Sequence, residues 1–137
     1  MAPRLAPAIS PDTEFFWTGL REHKLLIQRC TGCATLRHPP RPMCPGCRSL
    51  QWDTVESSGH GTVYSHVMPL EPRFGFFEYP YIVVLVQLDE GVRLVSNLTD
   101  IDPAAVTAGM PVEIYYRAFD NDLVLHQFRP AAPDGIR

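Results

Sequence analysis

Long apolar runs are missing from this sequence of 137 residues. A membrane-spanning helix needs about 20 consecutive apolar residues, and a secretory signal peptide needs a shorter apolar stretch near its start. The chain begins Met-Ala-Pro-Arg and shows neither pattern. We therefore expect a cytoplasmic protein, in a reducing compartment where disulfide bonds rarely persist.

A strong overall charge is missing as well. The formal net charge is −3, so the sequence predicts no general attraction to nucleic acid or to an anionic membrane. The charge is unevenly distributed, because residues 21–48 carry +5 and the remainder of the chain carries −8. This local excess either compensates the negative charge of a thiolate-bound ion or offers a docking surface to an anion or an acidic partner.

No set of catalytic side chains stands out. All four cysteines lie in paired motifs, and nucleophilic or acid–base catalysis would need groups held in fixed pairs. We expect no catalysis by this chain on its own. His38 lies between the two cysteine pairs, and we expect it to be a surface or hydrogen-bonded histidine rather than a metal ligand. The histidines are scattered and lack an evident carboxylate partner: His23, His38, His60, His66 and His126.

The four cysteines form two Cys-x-x-Cys motifs separated by ten residues. Each motif predicts a tight turn, here called a knuckle, that directs two sulfurs at one ion. Four thiolates fill a tetrahedral shell, so we predict a closed, structural site with zinc as the expected ion. Iron is the less favoured ion, and a pair of disulfides is the less favoured alternative. The predicted ligands are Cys30, Cys33, Cys44 and Cys47.

Glycine and proline shape the expected knuckles. Gly32 and Gly46 lie inside them, where we expect backbone freedom to be needed. Pro45 restricts one backbone angle of the second knuckle.

A short helix is expected near the N-terminus. Ser10 followed by Pro11 predicts a helix start, with Ser10 as N-cap and Pro11 in the first helical position. Its aromatic residues either pack on the core of the chain, which we favour, or contact a partner subunit. These residues are Phe15, Phe16 and Trp17.

The second half of the sequence is rich in β patterns. A helical turn is predicted after Asp102, between the third and fourth strands. Five strands with such a turn match the five-stranded Greek-key barrel of the OB-fold, with a small sandwich as the alternative. The second strand is apolar almost without interruption, which predicts cover on both of its faces. The expected strands span residues 61–68, 81–88, 92–98, 112–117 and 123–128.

One connection is unusually long and aromatic. Residues 69–80 separate the first two barrel strands, whereas hairpin loops usually have 2–5 residues. The aromatic side chains either cap one end of the barrel or form a contact surface for a partner or an apolar ligand, and we favour the contact surface. They are Phe74, Phe76, Phe77 and Tyr79.

Several segments, taken in order, resemble a known bacterial and archaeal family. They are residues 25–33, 39–41, 44–49 and 58–65, and the segments 80–81 and 109–112 also fit. The family is the acyl-CoA-associated OB-fold family with an N-terminal rubredoxin-like zinc ribbon, long described as a domain of unknown function. The resemblance covers about residues 10–130. One departure is Ala34, where the family often has glycine, and we expect a small local effect.

The resemblance implies a mainly β chain and an accessory role. The expected order is an arm and helix (1–24), the zinc ribbon (25–56), the five-stranded OB-fold barrel (57–130) and a tail (131–137). Members associate with thiolase-like enzymes, including lipid-transfer-protein-type aldolases and thiolases that act on acyl-CoA. Because the hydratase-like domain of some members is absent, we expect a stand-alone subunit or an excised domain.

The implied function is a non-catalytic subunit that binds and stabilises or activates such an enzyme. The setting would be steroid side-chain or fatty-acid degradation, within a hetero-oligomer and with a structural zinc. Two alternatives stay open: a nucleic-acid-binding OB and zinc-ribbon module, and a rubredoxin-like electron carrier. Direct contact with the phosphates of CoA is a further possibility, through Arg37, Arg41 and Arg48.

Overall fold

A helix, a three-stranded sheet and a closed β-barrel follow one another along the chain in this computed structural model. The structure describes residues 4–119 and 122–131. Residues 120–121, between the fourth and fifth expected strands, and the predicted tail beyond residue 131 lie outside the described residues, as does the start of the predicted arm. None of the described helices is both long enough and apolar enough to cross a membrane.

Helix α1 spans Glu14–Arg21, so it begins later than the predicted start at Ser10. The backbone N–H groups of Thr13 and Glu14 both donate to the Ser10 carbonyl, at 3.0 and 2.9 Å, and form a separate turn before the helix. The Ser10 hydroxyl lies 3.2 Å from the Thr13 hydroxyl and caps no helical N–H. The prediction of Ser10 as N-cap was therefore wrong, because its side chain bonds Thr13 instead.

The three-stranded sheet carries the cysteines. Strand β1 (Leu26–Cys30) lies between β2 (Leu36–Arg37) and β3 (Trp52–Glu56), and both neighbours are antiparallel to it. Leu25 and Ile27 are fully buried in the same apolar cluster as residues of α1 and of the barrel. The sheet therefore has little core of its own and shares the core of its neighbours.

The barrel confirms the expected OB-fold. Its strands are β4 (His60–Val67), β5 (Ile82–Leu88), β6 (Arg93–Leu98), β7 (Pro111–Ala118) and β8 (Val124–Pro130). They close in the order β4-β5-β6-β8-β7, and every strand boundary lies within two residues of its predicted position. Asp102 caps a short 3₁₀ turn by accepting a hydrogen bond from the Ala104 N–H at 3.0 Å. Gly91, in the turn between β5 and β6, has a positive φ of 97°.

Strand β5 is not covered on both faces, which corrects the prediction made from its apolar run. Ile82, Val84 and Val86 are buried inside the barrel, whereas Val83 and Leu85 alternate with them and are partly exposed. A continuous apolar run therefore reflects one face in the core and one face turned to apolar cavities on the outside of the barrel.

The barrel is loosely joined between β6 and β8. These two strands are parallel, and the described ladder between them consists of one pair, Leu98 with Phe128. Beyond that pair, side chains fill the seam: the Ser96 hydroxyl donates to the His126 carbonyl at 3.0 Å and lies 2.7 Å from His126 Nδ1. Helix α1 packs against β8 beside this seam.

A cluster of three rings joins the sheet, the helix and the barrel. Phe16 of α1 lies 5.2 Å from the His38 ring and 5.8 Å from the His126 ring, measured between centroids. Burial lowers the pKa of His38 to about 4. Burial, followed by the nearby His38, lowers the pKa of His126 to about 4. Both imidazoles are therefore neutral in the folded chain at neutral pH, whereas Arg93, which lines the same cavity, is cationic.

Acidification is expected to destabilise the fold through these histidines. An unfolded imidazole takes up a proton near pH 6.5, whereas the folded ones do so near 4, so the unfolded state binds more protons between these values. The free energy of unfolding should fall as the pH falls from 6.5 to 4, by about 2–3 kcal/mol at most for each histidine. Urea unfolding at several pH values measures this. His126→Asn should flatten the profile, the exposed-site control His66→Asn should not, and identical slopes in parent and H126N would contradict the assignment.

Candidate metal centre and contact surface

The two knuckles have matching backbone geometry. In the first, the Ala34 N–H donates to the Cys30 carbonyl at 2.8 Å, and the Cys30 N–H donates to the Thr35 carbonyl at 2.9 Å. In the second, the Arg48 N–H donates to the Cys44 carbonyl at 2.9 Å, and the Cys44 N–H donates to the Ser49 carbonyl at 3.0 Å. The local sequence therefore folds twice into the same turn, and each turn presents two sulfurs.

The structure brings all four cysteine sulfurs together. They lie within 4.8 Å of one another, with Cys30 and Cys47 at 3.4 Å and Cys33 and Cys44 at 3.7 Å. Four sulfurs bound tetrahedrally at 2.3 Å would lie about 3.8 Å apart, so these residues fit a tetrahedral ion. A disulfide would need sulfurs about 2.05 Å apart, so the arrangement does not fit the alternative of two disulfides. The cluster is a metal site whose ligands come from both knuckles.

The site lies at the surface with one side covered. Cys30 and Cys44 are buried, and Cys33 and Cys47 are exposed. The first cysteine of each motif thus faces the sheet and the second faces outward. Four thiolates complete a tetrahedral shell and leave no open position for a substrate, which suits a structural ion.

Local hydrogen bonds favour the thiolate form at three of the four cysteines. The backbone N–H of Cys33 lowers the pKa of Cys30, and the backbone N–H groups of Cys47 and Gly46 lower the pKa of Cys44. The Thr35 hydroxyl lowers the pKa of Cys33. The Ser49 N–H also favours the thiolate of Cys47, but the other sulfurs outweigh it and raise the pKa of Cys47 to about 11. Metal binding would therefore release a proton.

Positive φ angles occur at the residues that follow the cysteine motifs. Ala34 has φ 66° and Arg48 has φ 65°, while Gly32 and Gly46 are not in this left-handed region. The expectation that Gly32 and Gly46 supply the backbone freedom was therefore wrong. The left-handed angles arise where the N–H turns back to the carbonyl of the first cysteine. This also explains why a glycine suits the position of Ala34.

Replacing Ala34 with glycine is expected to stabilise the metal-loaded chain by about 0.5–1 kcal/mol. The left-handed conformation costs a residue with a Cβ about 1–2 kcal/mol, and the greater chain entropy of glycine offsets part of that gain. Urea unfolding at fixed metal content measures the change. Ala104→Gly, at an exposed position without a positive φ, serves as the control and should destabilise. Equal destabilisation by both substitutions would contradict the strain at Ala34.

A buried glutamine and arginine hold the segment between the knuckles, which sequence reasoning did not identify. Gln28 on β1 donates to the Arg41 carbonyl and accepts from the Arg41 N–H, both at 2.9 Å. Arg37, its partner across the β1–β2 pair, donates to the same carbonyl at 2.9 and 3.2 Å. The sequence offered one signal for the burial of Gln28, because this polar residue lies among the apolar residues of β1.

The three arginines proposed for CoA phosphates lie in different environments. Arg37 is only 6% exposed and is committed to the Arg41 carbonyl, which does not suit a contact with a free phosphate. Arg41 and Arg48 are exposed on the ribbon. Contact of these arginines with CoA stays a prediction.

The helix aromatics divide between the core and the surface. Phe16 is 4% exposed and belongs to the core cluster, so it packs on the core of the chain, which was the favoured interpretation. Phe15 is partly buried and lies 5.0 Å from the Trp52 ring, and Trp17 is partly exposed. His38 contacts Phe16 and stands apart from the cysteine cluster.

The aromatic loop, residues 69–80, packs largely on itself. The Phe74 ring stacks on Phe76 at 5.3 Å, and the Phe77 ring stacks on Tyr81 at 4.5 Å, at the start of β5. Phe76 and Phe77 are 4.9 Å apart and link the two stacks. The Tyr79 hydroxyl accepts a hydrogen bond from the Phe74 N–H at 2.9 Å. The loop is therefore an ordered platform of rings.

Exposed apolar residues precede or belong to this loop in the sequence. Phe74 is 46% exposed, Leu70 is 57% exposed and Val67 at the end of β4 is 61% exposed. Met68 lies between them and is also exposed. Contiguous exposed apolar side chains are typical of interaction sites. A role in capping the barrel end explains why Phe77 packs on Tyr81. It does not explain why these outward-facing residues are apolar.

Comparison with known proteins matches both parts of the chain. A family model described as "ChsH2, rubredoxin-like zinc ribbon domain" matches residues 17–53, and one described as "ChsH2, C-terminal OB-fold domain" matches residues 54–117. A scaffold protein of Methanocaldococcus jannaschii, described as containing a DUF35 domain, is 33% identical over 109 residues, with 77% of each chain covered.

Two longer relatives carry enzyme names. A probable enoyl-CoA hydratase alpha subunit of Thermomonospora curvata is 48% identical over 132 residues, which is 96% of this chain and 41% of the relative. The 3-oxo-4,17-pregnadiene-20-carboxyl-CoA hydratase alpha subunit of Mycobacterium tuberculosis is 41% identical over 126 residues, 92% of this chain and 40% of the relative. The chain thus spans about two fifths of the length of these relatives.

A solved structure matches the whole arrangement of helix, sheet and barrel. It is a chain of a structure named "Ltp2-ChsH2(DUF35) aldolase", and it superimposes with a TM-score of 0.89 at 48% sequence identity. The match covers 93% of this chain and 100% of that chain.

Proposed function

Since the chain belongs to the ChsH2 (DUF35) family, in which a rubredoxin-like zinc ribbon precedes an OB-fold domain, we propose that it is a non-catalytic accessory subunit. Its partner is a thiolase-like aldolase of the lipid-transfer-protein type, and the pair cleaves a carbon–carbon bond in an acyl-CoA. Steroid side-chain degradation is the setting that the name of the M. tuberculosis relative supports.

One observation carries this proposal. The solved chain named with the Ltp2 aldolase is 48% identical to this chain and is covered along its whole length. The resemblance therefore extends over the ribbon and the barrel together and does not rest on the common OB-fold alone, which serves many functions.

The aromatic platform supports a binding role. We propose that the partner contacts Phe74, Phe76, Phe77 and Tyr79, with the exposed apolar residues beside them. Trp17 and Phe15 are partly exposed and would extend the contact from the helix, whereas Phe16 would act only by holding the helix in place. Aromatic residues in packed, partly exposed clusters are frequent anchors of protein–protein interfaces.

The described side chains support a role without chemistry of its own. His126 bonds Ser96 but is neutral and lies under helix α1, and the cysteines are grouped around one centre. The hydratase names belong to longer relatives of which this chain covers about two fifths, so we do not propose a hydratase activity for it.

We further propose four units along the chain. They are an arm with the helix (1–24), the ribbon (25–56), the barrel (57–130) and a tail (131–137).

Zinc is the ion we propose for the ribbon, bound by Cys30, Cys33, Cys44 and Cys47. Its chemistry there is to hold the two knuckles together. We place the protein in the reducing cytoplasm, where cysteines remain available as metal ligands. Arg41 and Arg48 are the exposed cations that would meet a CoA phosphate at the subunit boundary.

Stoichiometric mixing with an Ltp2-type aldolase tests the function. We expect the two proteins to elute as one complex in size-exclusion chromatography, and the aldolase to gain solubility or rate on its acyl-CoA substrate. An OB-fold protein without a ribbon serves as the control and should change neither quantity. Separate elution together with an unchanged rate would refute the accessory role.

A further inference from the structure

An apolar cavity of about 500 Å³ lies where the helix, the ribbon and the barrel meet. Phe16 and Trp17 of α1 line it, together with Pro39 and Pro40 from the segment between the knuckles. Its volume suits a small-molecule ligand, because such sites typically occupy 300–1,000 Å³.

The barrel contributes an apolar strand pair to this cavity. Leu85 of β5 and Val95 of β6 are partners in the ladder between the two strands, and both line the cavity. Val95 is 61% exposed, whereas its neighbours Leu94 and Ser96 are buried. An apolar ligand that covered Val95 would remove this surface from water.

The polar side chains of the cavity favour a neutral ligand. No carboxylate of the described residues lines it. Arg93 does line it, but its Nε donates to Gln87 Oε1 at 2.9 Å and its guanidinium lies 3.8 Å from the centre of the Tyr64 ring. The imidazoles of His38 and His126 are neutral, because burial lowers the pKa of each to about 4.

Contacts with Ser96 determine which nitrogen of His126 carries the proton. The Ser96 hydroxyl donates its single proton to the His126 carbonyl at 3.0 Å. The 2.7 Å contact between this hydroxyl and Nδ1 is then a hydrogen bond that Nδ1–H donates, which leaves Nε2 as an acceptor. Nε2 has no hydrogen-bond partner within residues 4–119 and 122–131, and it is not sealed from solvent. A ligand in the cavity can therefore satisfy this acceptor by donating a proton.

His38 lines the same cavity with a second imidazole. Its ring lies 5.2 Å from the Phe16 ring, and it forms no hydrogen bond with the residues that the structure describes. A neutral imidazole offers one N–H donor and one acceptor. A hydroxyl group both donates and accepts, whereas the oxygen of a ketone or an ether only accepts. The two imidazoles therefore favour a hydroxyl over other neutral oxygen groups.

We propose that this cavity binds a neutral apolar alcohol, with its hydrocarbon body on Trp17, Leu85 and Val95 and its hydroxyl donating to Nε2 of His126. The apolar walls select the hydrocarbon, and the histidine acceptor selects the hydroxyl. The site is complete within this chain, so the proposal goes beyond the accessory role and its test needs no partner.

Fluorescence of Trp17 tests the proposal in the isolated, metal-loaded chain. The chain has two tryptophans, and Trp52→Phe leaves Trp17 as the reporter while it keeps an aromatic ring beside Phe15. We expect menthol, a compact apolar alcohol, to shift the Trp17 emission with saturation. Menthyl methyl ether keeps the hydrocarbon and the acceptor oxygen but has no proton to donate. It should bind at least about tenfold more weakly, because the acceptor on His126 is then left unpaired.

Matched variants separate the hydroxyl from the hydrocarbon. His126→Phe keeps a ring beside Phe16 but removes the acceptor, so the affinity for menthol should fall to that for its ether. Val95→Asp places a charge on the apolar strand pair and should weaken both ligands by about tenfold or more. His66→Phe, at an exposed position on β4 outside the cavity, should change neither affinity. Circular dichroism confirms that each variant is folded, and the comparison of the two ligands in the parent depends on no variant at the site.

Three results would overturn the proposal. Equal affinity of the parent for menthol and its ether would remove the role of the hydroxyl. A difference between the two ligands that persisted in H126F would show that His126 is not the acceptor. A Trp17 emission that menthol leaves unchanged up to its solubility limit would show that the cavity does not bind the alcohol. None of these results depends on whether the chain binds an aldolase, so failure here is distinct from failure of the accessory role.

Discussion

Replacing Cys44 with serine is expected to abolish stable metal binding and to unfold the two knuckles within residues 31–51, while the barrel keeps its structure. In this segment the only buried residues are Arg37 and Cys44. No apolar core therefore holds the two knuckles together, and the ion must supply most of the stabilisation. Structural zinc contributes on the order of 10–16 kcal/mol to the folding of small zinc modules at neutral pH, so loss of one ligand has a large effect.

The limits of the unfolded region follow from the packing of β1 and β3. Leu25 and Ile27 are fully buried among residues of helix α1 and the barrel. Strands β1 and β3 pair along five residues, and Arg29 meets Asp53 through two hydrogen bonds of 2.8 and 2.7 Å. These contacts do not involve the ion. We therefore expect this strand pair to remain folded when the knuckles open.

Elemental analysis and hydrogen exchange measure the outcome. The parent should contain one zinc per chain and be colourless, whereas iron with visible thiolate absorption would support the electron-carrier alternative. In C44S, or after chelation, amide exchange should accelerate in residues 31–51 and remain slow in β5 and β7. Met43→Ser, beside the ligand and 48% exposed, is the control and should retain the metal. A metal-free chain with unchanged exchange in the knuckles would refute the structural role of the ion.

Local patterns predicted the elements of the fold well. The spacing of the four cysteines indicated that they belong to one site, and their sulfurs lie within 4.8 Å of one another. Alternation and turn residues located all five barrel strands, and Asp102 marked the helical turn between β6 and β7. These features depend on neighbours in sequence, which explains why they could be read without coordinates.

Features that depend on distant partners were less predictable. Helix α1 begins later than predicted because the Ser10 hydroxyl bonds the Thr13 hydroxyl. Residue propensities do not indicate whether such a hydroxyl will bond a helical N–H or a neighbouring side chain. The outward face of β5 was predicted to be covered, but Leu85 on that face lines a cavity beside α1 and the ribbon and is not covered by a second layer of sheet. Arg37 looked like a surface cation, but its pairing with Gln28 across β1 and β2 buries it.

Replacing Phe74 and Phe76 together with serine is expected to weaken binding to the proposed aldolase partner by about 100-fold or more. Aromatic anchors at the centre of an interface commonly contribute 2 kcal/mol or more each. Phe74 is 46% exposed, so its loss should cost the isolated chain little stability. Isothermal titration with the aldolase measures the affinity, and thermal unfolding of the variant measures the stability.

The internal packing of the loop provides the decisive contrast. Phe77 stacks on Tyr81 at 4.5 Å and lies 4.7 Å from the Arg4 guanidinium, so Phe77→Ser should loosen the loop and lower the melting temperature. Tyr64→Ser removes another exposed ring, on β4 and outside the loop, and should leave the affinity unchanged. If F74S/F76S binds the aldolase like the parent while Y64S does not, the contact surface lies on the face of β4 and the aromatic loop serves only to close the barrel end. Full affinity in all three variants would move the contact to the ribbon, where the exposed positive charge of Arg41 and Arg48 would become the surface to test.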